Sequence, residues 1–404
     1  MDKKESDNSS YRYFILMACF LIQAIGIGTL VTYGLFFNPL MAEFGWPRAT
    51  IAGAASVSYL LSGLLGIFVG RIIDRVGPRA TMTVSGFSYG LGLLLMSRLD
   101  AVWQAYLFYG AVVGIGMSAV DVVALSTTAR WFFRRRGTMT GIVKVGTGTG
   151  QLVIPFVTSQ LILSYGWRTS YLVMGTGVML LLVSIAQLLR RDQGQTNPAP
   201  DPRKGMSSGH PSFLRETLHT RQFWTLCGAN LAIVFCLMTV IVHIVPHARD
   251  ARVSAAEAAG LLSVIGGVSI AGRFVAGFCI DRTGSRRVMI ICFFLLIAGL
   301  LWLQTAREMW HFYLFAAIYG IAHGGFYTAI SPIVAEFFGI EAHGVLFGIV
   351  AFSGTVGSAV GPTLAGYIFD ATAGYGLALW LCTFLAVLGL VLTFSLKAGR
   401  RRIQ

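Results

Sequence analysis

Gly70-Arg-Ile-Ile-Asp74-Arg75-Val-Gly77-Pro-Arg79 returns half a chain later as Gly277-Phe-Cys-Ile-Asp281-Arg282-Thr-Gly284-Ser-Arg286. Each copy closes one long apolar run and opens the next. A short charged turn of this kind suits a chain that leaves a hydrocarbon layer and re-enters it. The repeat extends beyond the turns. Gly141-Ile-Val-Lys-Val-Gly-Thr-Gly-Thr-Gly-Gln-Leu-Val-Ile-Pro155 aligns without gaps to Gly348-Ile-Val-Ala-Phe-Ser-Gly-Thr-Val-Gly-Ser-Ala-Val-Gly-Pro362, and Gly114-Ile115 matches Gly320-Ile321 one run earlier. The chain therefore reads as two copies of one helical bundle, with glycines at the helix contacts where small residues let backbones approach.

Of the 404 residues, 55% are hydrophobic and 12% charged, against about 25% charged in a soluble globular protein. Apolar runs long enough to cross a bilayer, about 20 residues each, fall at 12–40, 49–70, 79–97, 103–130, 138–161, 168–189, 221–247, 255–279, 287–305, 311–337, 342–367 and 375–396. The expected fold class is an all-α membrane protein, with twelve transmembrane helices in two pseudo-symmetric six-helix bundles. Residues 1–11 form a polar leader expected to lack structure, and no cleavable signal peptide is expected. The first bundle occupies 12–190 and the second 220–396. A cytoplasmic linker over 191–219 carries Pro198, Pro200, Pro202 and Pro211 and cannot build a core. A basic tail over 397–404 ends the chain.

A net charge of +14 invites a nucleic-acid reading, but the placement of the charge excludes it. With both termini cytoplasmic, 23 of the 31 Lys and Arg residues fall on that side and six on the other, leaving Lys144 and Arg273 inside spans. This is the positive-inside pattern of a membrane protein. Trp46, Trp103, Trp167 and Trp310 fall at outer helix ends, as interfacial anchors do. The expected location is the cytoplasmic (inner) membrane, multi-pass, with both termini inside. The six cysteines lie in or beside apolar runs, without metal-ligand or disulfide spacing. No nucleotide loop, metal cluster or nucleophile constellation is present and the loops are short, so neither an enzyme nor a cofactor is expected. A monomer in the lipid bilayer is.

Three charges lie well inside spans: Asp121, Lys144 and Arg273. Each sits roughly 7–9 Å to the cytoplasmic side of its helix midpoint, and Asn230 and Tyr327 lie about 5–6 Å to that side. These residues come from spans four, five, seven, eight and ten, which suits a central substrate layer. A guanidinium in hydrocarbon is costly and points to function by default, and its fork can hold a carboxylate by two parallel hydrogen bonds. Arg273 is therefore the expected substrate anchor, against the alternative of a structural pairing with Asp121 or the second turn. Lys144 is either a second cation for the substrate, the partner of Asp121, or a residue that snorkels to the headgroups. Asp121, the one carboxylate deep in a span, is a proton-coupling candidate or a permanently ionised partner. His243, toward the outer end of span seven, is the second proton candidate, preferred over His323, which reads as a packing residue. Tyr33 joins Tyr327 and Asn230 as candidate substrate contacts. Asp74, Arg75, Asp281 and Arg282 are assigned to conformational gating, with each acid capping a neighbouring helix.

The paired Gly-x-x-x-Asp-Arg-x-Gly-x-Arg turns at corresponding loops resemble those of the major facilitator superfamily, over almost the whole chain. Trp131-Phe-Phe-Arg-Arg-Arg136-Gly-Thr-Met-Thr-Gly141-Ile-Val-Lys-Val-Gly146 is similar to the fifth-helix signature of monocarboxylate porters, and Tyr33-Gly-Leu-Phe-Phe with Glu43-Phe-Gly-Trp46 to the end of their first helix. The resemblance implies transport of lactate- or pyruvate-like anions with a proton, and it sets the substrate carboxylate on Arg273. Two positions depart from the animal members. Leu35 stands where they carry a lysine, and Ser269 where they carry an acid. Neighbouring oxalate/formate exchangers pair the span-eight arginine with a span-eleven lysine; residues 342–367 hold none. The function expected is proton-coupled symport of a small monocarboxylate by alternating access, L-lactate first, then pyruvate or short-chain acids. An oxalate/formate-type organic anion exchanger is the alternative.

Overall fold

The computed structural model describes residues 3–133, 135–190 and 211–396. Its described residues form helices and the turns between them. Helix α1 runs over Lys3–Val31, followed by a 3-10 turn at Thr32–Phe36 and α2 at Phe37–Phe44. Then come α3 (Arg48–Val76), α4 (Pro78–Met96) and a broken helix made of α5 (Val102–Ala105), a π-turn at Tyr106–Val113, α6 (Gly114–Met117) and α7 (Val120–Trp131). After α8 (Arg136–Leu188) come α9 (Pro211–Leu218), α10 (Arg221–Asp250), α11 (Ala255–Thr283), α12 (Ser285–Leu303), α13 (Met309–Phe338), α14 (His343–Thr372) and α15 (Gly376–Ser395).

Ten helices among the described residues are long and apolar enough to cross a membrane. One of them, α8, breaks at Gly166, where φ of 76° and ψ of 167° turn the chain between spans five and six. With α4 the expected twelve passes are accounted for. Large apolar side chains such as Phe68, Phe156, Leu163, Phe384 and Val391 are exposed on these helices, as lipid-facing residues are.

The leader departs from expectation. Helix α1 already begins at Lys3, because no proline or glycine interrupts the sequence before Gly26. Met1, Asp2, residues 191–210 and the tail from Lys397 lie outside the described residues. The last part of the linker is the short helix α9.

The chain divides into two units. One comprises 1–133, 143–209 and 340–348; the other comprises 134–142, 210–339 and 349–404. The first turns of α8 thus cluster with the second unit, and the first turns of α14 with the first.

The turn motif explains itself in both units. Gly77 and Gly284 take φ of 103° and 87°, a region that favours glycine, and each ends one helix as the next begins. Gly70 meets the backbone of Gly344 too closely for any side chain, and a Cβ on Gly277 would stand 2.6 Å from the Gly137 carbonyl oxygen. The terminal arginine of each copy ties down the last helix of its unit. Arg79 donates from Nε to Gln187 at 2.8 Å, and Arg286 donates to the Thr393 and Phe394 carbonyls at 3.2 and 2.6 Å.

Glycine contacts follow the repeat too. A Cβ on Gly150 would run into the Ala24 backbone within the first unit, and one on Gly357 would meet the Leu231 carbonyl within the second. In the second unit, α11 and α13 lie against each other through Gly272, Gly320 and Gly324, the last against the backbone of Ser269 and Arg273. In the first unit Glu43 accepts from Trp167 Nε1 at 2.6 Å and pairs with Arg168 at 2.7 Å, tying the end of α2 to α8 just beyond Gly166.

Candidate functional site

In the second unit, α11 carries Ser269 and Arg273 one turn apart, so both face the same way. Arg273 is 3% exposed and Ser269 2%. Opposite them, α13 presents Tyr319, His323 and Tyr327, again one turn apart. Ser269 Oγ lies 2.9 Å from His323 Nδ1. The His323 ring sits 5.0 Å from Tyr327 and 5.8 Å from Tyr319, centroid to centroid, and within electrostatic reach of Arg273. The Tyr319 hydroxyl is spent on the Leu237 carbonyl at 2.6 Å, and Thr328 reaches the Arg273 carbonyl at 3.4 Å. Arg273 is thus set where α11 and α13 approach through glycines, within electrostatic reach of the His323 imidazole. Such a group can hold a carboxylate and move a proton beside it.

Asn230 on α10 is buried and donates to the Val350 carbonyl at 2.6 Å and to Ser353 Oγ at 3.1 Å, which fastens α10 to α14. His243 is held at both ring nitrogens, 2.9 Å from the Pro362 carbonyl and 3.1 Å from the Tyr375 hydroxyl.

The first unit holds a separate polar cluster. Asp121 Oδ1 accepts from Lys144 Nζ at 2.6 Å and from Gln23 Nε2 at 2.8 Å. Gln23 Oε1 in turn accepts from Thr147 at 2.7 Å and from Lys144 at 3.3 Å. The Lys144 side chain is buried while that of Asp121 is 43% exposed. Of the openings left by the sequence, pairing of Lys144 with Asp121 is the arrangement found. Tyr33 donates to the Ile51 carbonyl at 2.9 Å and stacks on Tyr109 at 3.9 Å.

The acids of the two turn motifs lie at helix starts. Asp281 accepts from the Gly137 and Thr138 backbone N–H groups at 2.6 and 2.8 Å, at the start of α8. Asp74 lies beside Gly344 at the start of α14 and is ion-paired through Oδ1 with Arg130. Arg282 lies 3.5 Å over the Phe278 ring, and Arg75 is exposed.

Sequence reasoning missed two residues and one contact in these clusters. Gln23 aligns with Asn230 at the register that relates Gly141 to Gly348, so the repeat itself could have flagged it. The same register places Arg273 opposite Gly66. Arg130 and the Ser269–His323 contact had no signal in the sequence, because both depend on which helix faces which.

The whole-chain pattern has a known counterpart: the model of the Major Facilitator Superfamily matches residues 14–285 and again 246–403. The chain belongs to that superfamily. Among its relatives, monocarboxylate transporter 12 of Rattus norvegicus is 24% identical, the match covering 98% of this chain and 87% of that protein. Monocarboxylate transporter 4 of Mus musculus is 25% identical over 92% of this chain and 80% of that protein. The uncharacterized MFS-type transporter YhjX of Escherichia coli is 25% identical over 84% of each. The E. coli fucose:proton symporter FucP shares the superfamily fold with a TM-score of 0.77, covering 96% of this chain and all of that one at 14% identity. With transporters on every side of the comparison, the chain is a multi-pass membrane transporter rather than an enzyme.

Proposed function

We propose that this protein carries a small monocarboxylate together with a proton across the inner membrane of a bacterium, by alternating access and as a monomer, with both termini cytoplasmic. The observation that carries the reading is Arg273: a buried guanidinium in a membrane-crossing helix, within electrostatic reach of His323, in a chain whose relatives are named monocarboxylate transporters. Arg273 binds the carboxylate, Tyr327 borders it, and the apolar helix faces sort the tail, with L-lactate ahead of pyruvate and short aliphatic acids. Lys144 is neutralised by Asp121, which argues against a second carboxylate site and so against the oxalate/formate-type exchanger. Asp74 and Asp281 hold the first turns of α14 and α8 in one state of the cycle.

The test is radiolabelled L-lactate uptake into reconstituted vesicles under an inward proton gradient. Wild type should accumulate lactate, and Arg273→Ala should not. Counterflow of oxalate or formate without lactate uptake would overturn the symport reading in favour of exchange.

A further inference from the structure

We infer that His323, held by Ser269 and facing Arg273, is the group that takes up the transported proton. This rests on the carboxylate role proposed for Arg273. Ser269 and Arg273 are successive on one face of α11, and the ring of His323 meets that face, with Nδ1 2.9 Å from Ser269 Oγ. The second ring nitrogen has no protein partner among the described residues, and the ring is partly exposed while Arg273 is buried. A serine hydroxyl can donate to a neutral ring nitrogen or accept from a protonated one. With Nδ1–H donating to the Ser269 hydroxyl, Nε2 is the nitrogen left to take up a proton, and Ser269 accepts that hydrogen bond before and after uptake.

Tyr319 and Tyr327 flank the ring on its own helix, and Arg273 lies on α11. The Cys292 thiol on α12 lies against Gly325, and on the α10 side Tyr319 meets the Leu237 carbonyl. Arg273 lies within electrostatic reach of the ring. That arrangement couples two ligands. With the site empty, the guanidinium opposes an imidazolium beside it. A carboxylate bound to Arg273 cancels that charge and lets Nε2 bind a proton. Anion and proton then each promote the other's binding by the same factor, and the loaded site carries the charge of the empty one. No carboxylate is needed at position 269, because the proton resides on the partner helix.

The experiment compares wild type and His323→Gln in the same vesicles, by L-lactate counterflow without a gradient and by accumulation under an inward proton gradient. The expected result is that H323Q loses gradient-driven accumulation under conditions in which wild type accumulates L-lactate. In purified wild-type protein, L-lactate affinity should weaken about tenfold per pH unit above the pH at which the ring deprotonates, the slope for one linked proton; in H323Q the slope should vanish. Gradient-driven accumulation retained in H323Q overturns the proposal and leaves the carboxylate role of Arg273 standing. Absence of lactate counterflow in wild type overturns both. If H323Q loses counterflow as well, Ser269→Ala decides: it keeps the ring and should shift the pH midpoint of lactate binding. An unmoved midpoint overturns the assignment.

Discussion

Replacing Asp281 by alanine removes both acceptors that hold the Gly137 and Thr138 amides at 2.6 and 2.8 Å. The lost interaction is a helix N-cap with a full negative charge. Loss of an N-cap side chain costs about 0.5–2 kcal/mol, and the charge at the helix terminus contributes about 0.3–1 kcal/mol, screened where it meets water. Asp281 is exposed, so a net loss of about 1 kcal/mol is expected, which makes opening of the first turn of α8 about fivefold more frequent. Asp74 lies beside the first turn of α14, its side chain is only 15% exposed and it neutralises Arg130. Asp74→Ala therefore strands a half-buried guanidinium and should cost more, about 3 kcal/mol. The assay is amide hydrogen exchange on the purified protein, read over 136–142 for Asp281→Ala and over 343–348 for Asp74→Ala. Each variant should deprotect its own segment only, and Asp74→Ala should do so more strongly. Unchanged protection at 136–142 in Asp281→Ala would refute the capping argument, because no other acceptor for those two amides would then be needed.

Three further outcomes follow from other parts of the structure. Asp121→Asn should lower Tm by removing the partner of buried Lys144, at about 2 kcal/mol given the half-exposed acid, and Lys144→Met in the same chain should restore most of the loss; a double variant no more stable than the single would show that the pair is not what holds the cluster. Gly324→Val should force α13 off α11, since its Cβ would stand 2.9 Å from the Arg273 amide; overpacking of this kind costs about 1–3 kcal/mol, and a thermal melt at the wild-type value would count against so close an approach. Arg273→Lys keeps the charge but loses the planar fork, so L-lactate binding measured by calorimetry should weaken more than tenfold, and full affinity in this variant would mean that position 273 acts as a point charge.

The architecture was legible because its signals are local or repeated. Apolar run length fixes a membrane helix, and the positive φ of Gly77 and Gly284 demands the glycine seen in each turn. The capping role of Asp281 was also readable, as an acid one helix end away from a repeated partner. What could not be read was side-chain company. His323 looked like packing because nothing local distinguishes an imidazole beside Ser269 from one beside lipid. The leader read as shapeless from its polarity, yet a polar stretch without a breaker continues the helix it adjoins. The break inside α8 was readable as the gap between the runs 138–161 and 168–189, where Gly166 takes its positive φ.

The register that places Gly66 opposite Arg273 has a consequence for what can be carried. Scaffold tasks are duplicated: both copies set an acid at a helix start, turn at a glycine and strap their last helix with an arginine. The anchor is not. On the carboxylate role proposed for Arg273, one arginine in the repeat holds one carboxylate. Gly66 faces only ordinary contacts, 3.7 Å to the Ser118 carbonyl oxygen and 3.8 Å to Val122. The repeat thus carries its membrane charges asymmetrically, with Arg273 opposite Gly66 and Lys144 opposite Ala351, while both copies keep the shared frame.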